Sequence, residues 1–85
     1  MKEFSKENPN DEAQVAVLTI TDETAALEIY EGEPLLRYGF DVTVMGLIGT
    51  GSAWGEDPYA DNGELRKEYS WLQSLIDEGD VFTTK

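Results

Sequence analysis

The sequence predicts a small α+β fold: a three-stranded antiparallel meander with one C-terminal helix packed on one face and a long glycine-rich loop before that helix. Three observations carry this expectation. Leu36, Tyr38, Phe40, Val42 and Val44 alternate with Arg37, Gly39, Asp41 and Thr43, which is the period of a half-buried strand. Leu65, Tyr69, Leu72 and Ile76 are spaced four, three and four apart, which is the period of an amphipathic helix. Short turn signals separate the strand-like segments, and sequential strands joined by short turns pair as neighbours.

Taken in order, residues 1–12 (MKEFSKENPNDE) read as a flexible N-terminal lead, because Pro9 and its Asn/Asp neighbours form turns and only Phe4 offers anything to pack. Residues 13–85 form the single α+β domain. Ala13 to Thr21 is rich in β-branched residues and ends at Thr21-Asp22-Glu23, so it reads as the first strand. Thr24 to Glu31 alternates Ala25, Leu27 and Ile29 with Ala26, Glu28 and Tyr30. That suits a second strand, while its alanine content permits a short helix. Gly32 and Pro34 mark a turn before the clear strand at 36–44.

From Gly46 to Asn62 the periodicity collapses, and glycines with acidic residues suggest a long loop. The helix is expected to begin at Asp61 as N-cap, with Glu64 three residues on completing a capping box. Leu75 widens its apolar stripe, Trp71 lies one position off it, and Gly79 is the expected stop. Asp77 and Glu78 fall in the last turn, where the helix dipole disfavours anions.

Composition narrows the chemistry. The chain has 85 residues, enough for one modest core and no interdomain cleft. It contains no histidine and no cysteine, so Ser–His and Cys–His nucleophiles, thiol chemistry and disulfides are excluded. Gly46 to Ser52 has the G-x-x-x-x-G spacing of a phosphate-binding loop, but Ser52 stands where the lysine is required. Asp57, Asp61 and Glu68 fall at positions one, five and twelve of a calcium loop, but Tyr59 occupies position three and the glycine at 63 comes one residue late. The reading is therefore of a protein that is not an enzyme, with no cofactor and no metal.

Eighteen carboxylates against six basic side chains give a formal net charge of −12. Between Glu7 and Thr84 the only bases are Arg37, Arg66 and Lys67. Self-repulsion on this scale opposes folding, and it is explained by solubility or by a strongly basic partner. The acidic groups come from three elements, with Glu28, Glu31 and Glu33 in one, Glu56, Asp57, Asp61, Glu64 and Glu68 in the next, and Asp77, Glu78 and Asp80 last. Strand and helix periods space such carboxylates at about 5–7 Å, which overlaps the phosphate spacing of a nucleic-acid strand. Trp54 and Tyr59 in the glycine-rich stretch either cover the sheet or anchor a partner.

The expected function is a small acidic inhibitor that blocks the basic nucleic-acid-binding surface of a target protein. Its partner-binding residues are Glu28, Glu31, Glu33, Trp54, Glu56, Asp57, Tyr59, Asp61, Glu64 and Glu68. In general character (short, acidic, single-domain, without cofactors) the chain resembles phage-encoded anti-restriction and anti-CRISPR proteins, although no residue motif carries the likeness. An immunity protein or antitoxin against a basic toxin, or a phage assembly accessory, are the alternatives. The expected partner is a basic nucleic-acid-binding protein, with no direct binding to nucleic acid or membrane, and the chain is expected to be a monomer or homodimer. Without a signal segment or cysteines, the expected compartment is the cytoplasm, that of the host cell if the protein is phage-encoded.

Overall fold

Alternation dictates the sheet. In the computed structural model, which describes residues 1–84, five antiparallel strands lie side by side in sequence order. They are β1 (Lys2–Asn8), β2 (Asp11–Ile20), β3 (Thr24–Glu31), β4 (Glu33–Thr43) and β5 (Gly46–Gly55). A 3-10 helix, Lys67–Leu72, then runs directly into α1 (Gln73–Thr83). The meander and the single C-terminal helix agree with the expectation, but the three-stranded sheet does not, because a strand is added at each edge.

The first correction falls on residues 1–12. Lys2, Phe4 and Lys6 alternate with Glu3, Ser5 and Glu7, and the segment pairs with β2 from Lys2↔Ile20 to Asn8↔Asp11. An edge strand is kept polar because its outer backbone groups would otherwise recruit other chains. That polarity hid the strand. Phe4 faces Leu18 across the ladder, and its ring meets the edge of Phe82 with centroids 5.9 Å apart.

The second correction falls on the expected loop. Gly46–Gly55 pairs with β4 along its length, with register shifts between Arg37 and Tyr38 and between Gly39 and Phe40. Its glycines serve close approach. A Cβ on Gly49 would lie 2.6 Å from the Tyr38 hydroxyl, so the strand passes against that ring only without a side chain. Tertiary pairing here overrides the poor strand propensity of glycine.

The third correction concerns the helix start. Asp61 caps nothing; Asn62 accepts a hydrogen bond from the Glu64 amide (3.0 Å), and Gly63 adopts φ +84°. Pro58 and Ala60 bond back to Arg66 and Glu64, and Tyr59 bridges to Leu65, closing residues 58–66 into a small reversing turn. The Asn-Gly turn signal outweighs the capping box. Gly79 is likewise no stop. It sits buried inside α1, with room for no side chain against Leu18 and Leu47.

One face of the sheet holds the core. Ala16, Leu18 and Ile20 from β2, Ala25, Leu27 and Ile29 from β3, and Leu36, Tyr38 and Phe40 from β4 pack beneath Leu72, Leu75 and Ile76. Each fully buried Leu or Ile contributes roughly 1.5–3 kcal/mol. The residues between them point to the other face, which the helix does not cover.

Candidate interaction surface

Topology gathers charge that the sequence leaves dispersed. In an up-and-down meander every second turn falls at the same end of the sheet. The β1–β2 turn, the β3–β4 turn and the exit of β5 therefore share one end. That end carries seven carboxylates: Glu7, Asp11, Glu12, Glu31, Glu33, Glu56 and Asp57. Glu31 and Glu33 flank Gly32, whose φ of +74° makes the tight connection possible, and both are exposed. Neighbouring strands are about 4.8 Å apart, so each turn's group lies within about two strand widths of the next, and the array spans about four.

Few cations offset them. Arg66 approaches Glu56 at 3.7 Å, and Lys6 is turned to the Ser74 hydroxyl on α1 at 2.6 Å. Glu56 also accepts a hydrogen bond from the Tyr69 hydroxyl at 3.0 Å, and Asp57 accepts one from the Tyr59 amide at 2.9 Å.

The ten residues expected to bind a partner divide among three places. Glu28 lies on the uncovered sheet face, 3.1 Å from Arg37, and Trp54 pairs with Arg37 across the β4–β5 ladder and is 42% exposed. Glu31, Glu33, Glu56 and Asp57 occupy the acidic end. Tyr59 is half-buried on the helix side, with its ring 4.9 Å from that of Tyr38, so it covers the core edge. Asp61 lies near Asp80 beside Tyr59 around a cleft of about 550 Å³, and Glu64 and Glu68 are exposed on the approach to α1. Glu7, Asp11 and Glu12 were missed because they lie in the segment read as a flexible lead; the Lys/Glu alternation around Phe4 was the available signal.

The tyrosines register this field. Burial pushes the Tyr59 phenol up to about 12, helped by the neighbouring Tyr38 and then by Asp80, Asp57 and Asp77. Burial likewise raises Tyr69 to about 12, with the hydrogen bond to Glu56 and the charges of Glu56 and Glu68 adding to it. Tyr38 is raised by burial and by Asp57. On the uncovered face, Tyr30 is raised first by desolvation and then by Glu28 beside it.

Among the described residues no group of His, Cys, Asp or Glu is arranged to hold a metal ion, and no helix is long and apolar enough to cross a membrane. Comparison of the chain with protein-family models, with curated proteins and with solved structures finds no match.

Proposed function

We propose that this protein is a small acidic inhibitor that binds the basic nucleic-acid-binding surface of a protein partner, taking the place of the nucleic acid. The observation that carries this reading is the gathering of seven carboxylates at one end of the sheet, in a chain of net charge −12. Such an array raises the encounter rate with a cationic groove, repels nucleic acid, and weakens as salt screens it. The groups are carried on strand ends and tight turns. Little ordering is needed on binding, which keeps the entropic cost low.

The test is affinity capture of basic nucleic-acid-binding proteins from lysate on the immobilised chain at low and at moderate salt. Retention at low salt, release as salt rises, and displacement by duplex DNA or RNA are the expected results. The triple variant Glu12→Gln, Glu31→Gln, Glu33→Gln changes exposed groups that make no hydrogen bond or ion pair among the described residues. It should fold normally and lose retention. Capture that is indifferent to salt, or unaffected by nucleic acid, would overturn the proposal.

A further inference from the structure

The helix, the 3-10 turn and residues 58–66 cover only one face of a five-stranded sheet. On the opposite face the register aligns Val17, Glu28, Arg37 and Trp54 in one row across four strands. The next row, Thr19, Ala26, Gly39 and Gly51, is built of small side chains. Ala26 is only 9% exposed yet stands outside the core cluster, because it lies on this second face. The small row leaves a trough of about 390 Å³ flanked by the Glu28–Arg37 pair on one side and Asp41 on the other, with threonine hydroxyls along it.

Charge selects the occupant. Glu3, Glu7, Glu28 and Asp41 belong to this face by register, and among the described residues its one cation, Arg37, is already engaged by Glu28. A second copy would bring like charges together. Pairing through the sheet edges is no better. In antiparallel β1–β1 contact that keeps the two sheets' faces continuous, Lys2 would oppose Lys6, or Glu3 would oppose Glu7. At the other edge, the Leu47 amide already donates to Asp80 at 2.8 Å.

We infer that the uncovered sheet face is the docking surface for a cationic protein partner, with Trp54 as its anchor and the trough between Glu28 and Asp41 receiving a basic side chain. Trp54 offers a large rigid surface and the strongest aromatic face for a cation, while the rim carboxylates steer. This rests on the inhibitor reading and names the surface onto which the acidic end steers the partner.

An arginine-rich peptide serves as the probe, titrated into the 15N-labelled full chain and followed by amide and indole shifts. Val17, Ala26, Glu28, Gly39 and the Trp54 indole should shift together at low salt, with the effect lost as salt rises. Trp54→Ala should weaken the peptide about tenfold with the remaining spectrum unchanged. Ala26→Arg, which fills the trough with positive charge, should weaken it at least as much. If Ala26→Arg perturbs folding, Thr50→Arg at the trough's β5 wall gives the same reading. Shifts confined to the acidic end or to α1, with the Trp54 variant binding normally, would overturn this inference and leave the proposed function standing. No salt-sensitive binding of the peptide at all would overturn both.

Discussion

Gly79→Ala sets two opposing effects against each other, and the structure decides the sign. In an isolated helix the substitution gains about 1 kcal/mol, because glycine is the poorest ordinary helix former. Here a methyl group at position 79 would lie 2.7 Å from Leu18 Cδ2, 2.9 Å from Leu47 Cδ1 and 3.3 Å from Ile20 Cδ1. Leu18 is fully buried and Ile20 nearly so, leaving neither much freedom to withdraw. Overpacking of this kind costs about 1–3 kcal/mol, which exceeds the helical gain. The expected net loss is about 1 kcal/mol, or a fall in Tm of about 4–8 °C. Urea unfolding followed by circular dichroism measures it, with the slope m unchanged. Adding Leu47→Ala, which removes the most yielding of the three contacts, should recover part of the loss and give a nonzero coupling in a double-mutant cycle. A Gly79→Ala protein more stable than wild type by the full helical increment would refute the close approach of α1 to β2.

Four further outcomes are expected. Asp80→Ala leaves the Leu47 amide without its acceptor and should cost about 1–3 kcal/mol. Asp80→Asn should cost much less, because it keeps an acceptor and removes an anion from the last turn of α1, where the dipole opposes it. Trp71 Nε1 is buried without a hydrogen-bond partner among the described residues, so Trp71→Phe should stay within about 1 kcal/mol of wild type in the same urea assay. The phenols of Tyr59 and Tyr69 are raised to about 12 in the folded state, above the ordinary value near 10. Their contribution is complete below pH 10 and lost as pH rises through about 12. After discounting for solvent screening of partly exposed rings, each is worth on the order of 1 kcal/mol. Alkaline melting curves should show a loss of stability across that window, made smaller by Tyr69→Phe. Finally, a chain of net charge −12 should gain stability as salt screens its repulsion, read as a rise in Tm between low and moderate sodium chloride.

Where an apolar residue recurred every second position, the strand was legible: Leu36 to Val44 lies in β4 and its following turn, and Thr24 to Glu31 is β3. The turn at Gly32 was equally plain. The edges were not legible, for opposite reasons. β1 must be charged because it faces water, which makes it look like an unstructured lead. β5 must be glycine-rich because Tyr38 lies against it, which makes it look like a loop. Of the expected binding residues, Glu28 and Trp54 fall on the uncovered face, while Tyr59 turns in against Tyr38.

The sequence by itself determined how much charge the chain carries, which positions alternate, and that the chain holds no histidine or cysteine. Those are properties of composition and of neighbours along the chain. Only the tertiary structure decided how many strands pair, which face stays open, and that carboxylates remote in sequence meet at one end. Pairing joins residues that no local period relates, and a meander returns alternate turns to the same place.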